Sequence, residues 1–125
     1  MNWTVVKITK NGGNKIPFVS IGNGRLEFNA VACELINDRG QYQYAQLLTG
    51  TDESGNTVNA VRFLESNEEE TIKITRKVQK GKPIRGMTVS HKSAIQNTFG
   101  QKVVKQGTKR YGVKKVDNNT LMIIE

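Results

Sequence analysis

Gln41–Leu64 reads QYQYAQLLTGTDESGNTVNAVRFL, two runs of alternating character split by the polar, acidic and turn-rich GTDESG at 50–55. Alternation with a period of two marks half-buried strands, because successive side chains point to opposite faces, whereas a helix repeats its apolar residues three and four apart. Gln41 to Thr49 and Asn56 to Leu64 are therefore expected to pair as an antiparallel hairpin. In the first run Ala45 and Leu47 share a face and leave Tyr42, Tyr44 and Gln46 opposite. In the second, Val61 and Phe63 share a face and leave Ala60 and Arg62 opposite.

Working outward, Thr71-Ile72-Lys73-Ile74-Thr75 alternates as a strand beyond the acidic Ser66–Glu70 loop and runs towards a basic turn, Lys80-Gly81-Lys82-Pro83. Met87–Val89 is a short strand, and Ser90 is placed to cap a helix through Phe99, with Gly100 as its left-handed stop. Gln101–Thr108 is a polar, basic loop, and Arg110–Val116 with Thr120–Ile124 forms a closing hairpin around Asp117-Asn118-Asn119. Upstream, Trp3–Thr9 is β-branched and ends at Asn11-Gly12-Gly13-Asn14, so it reads as a strand. Ile16–Ile21 and Leu26–Phe28 follow as strands separated by Gly22-Asn23-Gly24. Asn29 is an N-cap for a short helix over Ala30–Ile36, with Val31, Ala32, Leu35 and Ile36 as its apolar stripe. The expected fold is α+β and mostly antiparallel β, with a twisted sheet or sheets of about eight to nine short strands and two short helices.

The chain has 125 residues, one domain's worth. Gly24–Asn29 and Gly86–Ser90 both run glycine, short strand, capping residue, helix. This echo suggests a pseudo-repeat of 2–37 and 41–100, followed by the hairpin 109–125. No apolar run approaches the length of a bilayer span, and Met1-Asn2-Trp3-Thr4 lacks the basic start of a secretory signal, so a cytoplasmic protein without membrane contact is expected. The single cysteine, Cys33, reads as a small buried hydrophobe beside the first helix's stripe.

The net charge of +8 is unevenly spread. Residues 1–70 hold six Lys/Arg against nine Asp/Glu, whereas residues 71–125 hold thirteen against two. A clustered excess of cations points to a polyanionic partner, and nucleic acid suits it better than a merely solubilising surface. Lys73, Arg76, Lys77, Lys80, Lys82 and Arg85 form one cluster; Lys102, Lys105, Lys109, Arg110, Lys114 and Lys115 form a looser second one.

Dividing each strand by alternation puts Trp3 and Lys7, Tyr42 and Tyr44, Arg62, and Lys73 and Lys77 in the outward sets. If those sets share one sheet face, rings lie interleaved with cations. Unpaired nucleic acid uses such a surface, since bases stack on rings while Lys and Arg follow the phosphates. With Lys80, Lys82 and Arg85 from the basic turn, these residues form the expected nucleic-acid site. Each tyrosine fits a packed core as well as a stacking face, and Trp3 fits a core or an interface somewhat better.

No enzyme constellation accompanies these residues. Gly81-Lys82-Pro83-Ile84-Arg85-Gly86 has the wrong spacing for a phosphate loop, and Pro83 lacks the amide donor such a loop uses. Glu68-Glu69-Glu70 suits a solvated loop better than a metal site. His91, at the start of the second helix, has no nearby Ser, Cys or Asp to complete a relay and reads as a surface imidazole. No catalysis, no metal and no cofactor are expected.

The order of strands, then helix, then four strands and a helix, with basic strands and sheet aromatics, resembles the single-stranded-DNA-binding fold of the whirly and positive-cofactor-four coactivator group, whose phage-encoded versions are short and basic. Residues 41–100 would carry the four-strand-and-helix unit and 2–37 a shortened copy lacking one strand. The resemblance implies base contacts by Tyr42, Tyr44, Arg62, Lys73 and Lys77; on the basic C-terminal half and the aromatic-cationic strand face, the expected function is that of a homo-oligomer that coats single-stranded DNA with little sequence preference in replication or recombination. A second resemblance, carried by Gly24–Asn29, the short helix and Gln41–Leu48, is to swapped-hairpin transcriptional regulators that bind duplex DNA as dimers, with Asn29 where that group has Pro. A structural or interaction protein, such as a virion component, is the third expectation.

Overall fold

A computed structural model describes residues 2–5, 16–76, 78–79, 82–83, 86–99 and 108–124, with 78–79 and 82–83 described by their backbone alone. In chain order the elements are β1 (Phe18–Gly22), β2 (Arg25–Phe28), α1 (Ala30–Leu35), β3 (Tyr44–Thr51), β4 (Thr57–Leu64), β5 (Thr71–Thr75), β6 (Val78–Gln79), β7 (Lys82–Pro83), β8 (Met87–Ser90), α2 (Lys92–Phe99), β9 (Lys109–Asp117) and β10 (Thr120–Ile124). The fold is α+β and antiparallel, as the alternating runs require. Its eight longer strands close into a barrel in the ring order β1-β2-β8-β5-β3-β4-β10-β9, and β6 pairs with β7 apart from it.

Alternation in the eight barrel strands gives the closed sheet a single apolar interior. Val19, Ile21, Leu26, Phe28, Ala45, Val61, Phe63, Ile74, Met87, Val89, Val113, Leu121 and Ile123 all point inward and are buried in one core cluster. The registers place inward residues opposite inward ones, as in Leu26 with Val89, Leu47 with Val61 and Val61 with Leu121. Phe63, fully buried, meets the Phe28 ring edge-on at 5.2 Å between centroids. Full burial of a side chain of this size contributes about 1.5–3 kcal/mol.

The two helices plug the barrel's ends. α1 follows β2 and α2 follows β8; since these neighbours are antiparallel, the helices leave from opposite ends. Ala32, Cys33 and Ile36 enter the core from the first helix and its C-cap, and Ile95 enters from the second. Asn29 caps α1 as expected. Its Oδ1 accepts from the amides of Ala32 (2.9 Å) and Phe18 (3.0 Å), so one side chain starts the helix and ties it to β1. The cap of α2 is His91, whose Nδ1 accepts from the Ala94 amide at 3.1 Å. Ser90, expected there, instead ends β8.

Each helix start crosses close to a glycine of the neighbouring strand. A Cβ on Gly24 (φ +71°) would lie 3.0 Å from Lys92 Cα, and one on Gly86 (φ +126°) would lie 2.9 Å from the Phe28 carbonyl oxygen. Exchanging β1, β2, β3 and β4 with β5, β8, β9 and β10 leaves the ring order unchanged and carries α1 onto α2. The two-fold pattern thus relates 18–64 to 71–124 and absorbs the C-terminal hairpin, whereas the echo in the sequence suggested 2–37 and 41–100. The expected strand over Trp3–Thr9 differs as well. Residues 2–5 form no strand, and the rest of that run, like the turn at 11–14, the helix stop at Gly100 and the loop residues 101–107, lies outside the described residues.

Candidate nucleic-acid interface

The barrel's outer wall carries the residues that the alternation left facing away from the core. Of the expected site, Tyr44, Arg62 and Lys73 share the wall of β5, β3 and β4, with Tyr44 directly opposite Lys73 and Gln46 directly opposite Arg62. Lys73 is exposed and Tyr44 half-buried. Arg62 Nη1 donates to Gln46 Oε1 at 3.3 Å.

Tyr42 belongs elsewhere. β3 begins only at Tyr44, so the alternation does not reach residue 42, and its ring turns into the core at 9% exposure, 6.1 Å from the Phe63 centroid. Its hydroxyl proton points between the carbonyl oxygens of Ile36 (3.3 Å) and Asn118 (3.4 Å). Trp3 lies outside any strand at 86% exposure, so neither the expected sheet position nor burial holds for it. Lys7, Lys77, Lys80 and Arg85, and the side chain of Lys82, lie outside the described residues.

The β5-β3-β4 wall is also less cationic than its strands alone suggest. The acidic connection from β4 to β5 folds back against it, where Gln46 Nε2 donates to the Glu69 carbonyl oxygen at 2.9 Å, and Glu65, Glu68, Glu69 and Glu70 are all exposed. The negative charge that this connection brings to the wall opposes the approach of a phosphate backbone.

A second wall has fewer acids near it among the described residues: Glu27 of β2 lies in register beyond Ser20, which faces Arg110. β9 carries Lys109, Arg110, Lys114 and Lys115, all exposed, and its single acid is Asp117 at the far end. Arg110 and Lys114 point outward with Gly112 between them; Lys109 and Lys115, opposite Ile21 and Leu121, share the inward parity of Val113 and are exposed because they lie near the strand's two ends. Cations meet rings on both faces of this strand: on the outer one the Arg110 guanidinium lies 4.4 Å from the Phe18 centroid, and on the inward one, at the strand's end, Lys109 Nζ lies 5.4 Å from that of Tyr111. Such contacts hold a cation over a ring while leaving part of it free for an anion. Lys109–Lys115 was visible in the sequence only as part of a loose basic cluster. The usable signal was KRYGVKK, in which a run of cations and a glycine sit inside an alternating strand.

Asp117 closes this wall. The Thr120 hydroxyl, and then the Asn119 amide (3.1 Å to Oδ1), hold its carboxyl below the usual carboxylate range. His91 lines an open cleft of about 370 Å³ with Lys92, Ser93 and Gln96. Among the described residues no group of His, Cys, Asp and Glu is arranged to hold a metal ion, and no helix is long and apolar enough to cross a membrane. The chain matches no known family model, curated protein or solved structure.

Proposed function

We propose that this barrel binds single-stranded DNA with little sequence preference, in support of replication or recombination, and that it does so without catalysis. The observation that carries the reading is β9: four exposed cations on one strand, Arg110 and Lys114 on its outer face with Arg110 over the Phe18 ring, and Lys109 and Lys115 at its ends, in the half of the chain where cations outnumber acids thirteen to two. Cations arranged along a strand follow a phosphate backbone, and rings beside them offer surfaces on which any base stacks. Tyr44, Arg62 and Lys73 extend the same reading as a secondary surface, weakened by the acidic connection. Self-association and a cytoplasmic location belong to the proposal.

Fluorescence anisotropy with labelled oligo-dT and with a duplex of equal length, each at two salt concentrations, tests it. Four neutralised phosphates give a slope of log K against log salt of about −2.8 for a single strand. Tight oligo-dT binding with a slope of that order supports the reading. Preference for the duplex moves it to the swapped-hairpin type of regulator, and binding to neither moves it to a structural or interaction protein.

A further inference from the structure

The row of outward residues crossing β1, β9 and β10 is Phe18, Gly112 and Ile124, each directly opposite the next in register. Gly112 has no conformational need to be glycine, since its φ lies outside the left-handed region. A Cβ there would meet only Ile124, at 3.9 Å from its Cβ and 4.0 Å from its Cδ1, so the space above Gly112 is otherwise open among the described residues. Glycine inside a strand weakens it, and commonly marks a place where something approaches the backbone closely.

What lies around this gap has a consistent chemistry. Its walls are the half-buried Phe18 ring and Ile124, which is 47% exposed although apolar. Two strand spacings separate the backbones of those walls by about 9.5 Å. A flat ring held between two walls needs about 7–8 Å between the centres of the wall atoms that contact its two faces. Along β9, Arg110 and Lys114 sit two residues to either side on the same face, each about 6.7 Å away by strand rise. The notch is therefore lined by apolar side chains and bracketed by two cations.

We infer that the Gly112 notch, between Phe18 and Ile124, takes one unpaired nucleobase of the bound strand, and that Arg110 and Lys114 hold the phosphates on either side of it. This rests on the single-strand reading above and adds the element that discriminates against duplex, whose bases are stacked and cannot enter. The cation excess at the rim selects a polyanionic occupant over an uncharged apolar one. Arg110 covers the Phe18 ring in the free protein and exchanges that contact for a phosphate when the base arrives.

The test is Gly112→Val, which fills the notch while suiting the strand, alongside Phe18→Ala, each measured with 2-aminopurine-containing oligo-dT and with duplex. Stacking on a protein ring is worth about 1–3 kcal/mol per base, so G112V is expected to weaken oligo-dT binding about tenfold, keep the wild-type salt slope and leave duplex binding unchanged. The quenching of 2-aminopurine seen with wild-type protein should be lost in both variants. If G112V binds oligo-dT as wild type does, with the same single-strand preference and quenching, the notch is not the base site, and the broader reading stands. If wild-type protein binds no nucleic acid, both fall. Circular dichroism checks folding; should G112V misfold, Gly112→Ala and Phe18→Leu provide the same comparison, with wild-type affinity and quenching in both overturning the inference.

Discussion

Asp38 and Arg76 are joined by two parallel hydrogen bonds, Nη1 to Oδ2 at 2.8 Å and Nη2 to Oδ1 at 2.9 Å, and the same Nη2 donates to the Tyr42 carbonyl oxygen at 2.8 Å. One guanidinium thereby fastens the segment after α1, the approach to β3 and the end of β5. The Asp38 side chain is 7% exposed and that of Arg76 21% exposed, so the pair is mostly withdrawn from water. Removing one partner of a fully buried pair costs about 3–5 kcal/mol, and the partial exposure of Arg76 lowers the expectation for Arg76→Ala to about 2–3 kcal/mol. Urea denaturation measures it. A loss within experimental error of zero would mean that the clasp holds nothing in place.

The two tyrosines that the alternation treats alike should respond differently. Tyr42→Ala empties a core position against Phe63 and is expected to cost about 3–5 kcal/mol, while Tyr44→Ala on the outer wall should stay within about 0.5 kcal/mol. Thermal melts of the two variants make the comparison. Similar losses would contradict the inward turn of Tyr42.

Gly86 is held in the left-handed region with its missing Cβ pointed at the Phe28 carbonyl oxygen. Gly86→Ala meets both the backbone penalty, about 1–2 kcal/mol, and a contact that only a shift of β2 or β8 relieves. Gly112→Ala meets neither and should stabilise by about 0.4–1 kcal/mol, because alanine narrows the unfolded ensemble where the native backbone already suits it. Opposite signs in the same denaturation experiment are the expected outcome.

Strand alternation made β1 through β5 and β8 through β10 readable, because each sets its buried apolar residues at alternate positions. It failed where a local pattern met a non-local decision. Tyr42 has the outward parity of Tyr44, but the strand starts after it, and the start is set by Arg76, more than thirty positions away. Barrel closure depends on β1 pairing with β9, residues from opposite ends of the described chain, and no local pattern records that partnership. The β9 wall was missed for the same reason. Its cations were visible, but Phe18 becomes their neighbour only through the Phe18–Gly112 register.

Asp117 makes a pH prediction. Its folded carboxyl is held below the ordinary aspartate range, first by the Thr120 hydroxyl and then by the Asn119 amide. A depressed carboxylate adds stability that is present above the unfolded value and is lost as pH falls through the folded one. An NMR titration of the side-chain carboxyl carbon should therefore give Asp117 a midpoint below that of an aspartate in an unfolded peptide. Thr120→Val should move its midpoint upward, and an unmoved midpoint would remove the hydroxyl as the chief cause.

The β9 cations are the last and most direct test of the functional reading. Lys109, Arg110, Lys114 and Lys115 act on phosphates as separate charges, so each replacement by Ala should reduce the magnitude of the salt slope by about 0.7 for a single strand. The loss should be the same for every oligonucleotide sequence, because backbone contacts carry no base information. Lys73→Ala, on the wall screened by Glu68–Glu70, should change the slope less. If Lys73→Ala lowers affinity and slope more than Lys114→Ala does, the strand runs across β5 and β3 despite the carboxylates, and the interface has to be moved there. If the four β9 replacements leave the slope untouched together, the cations of this wall are not where the phosphates lie.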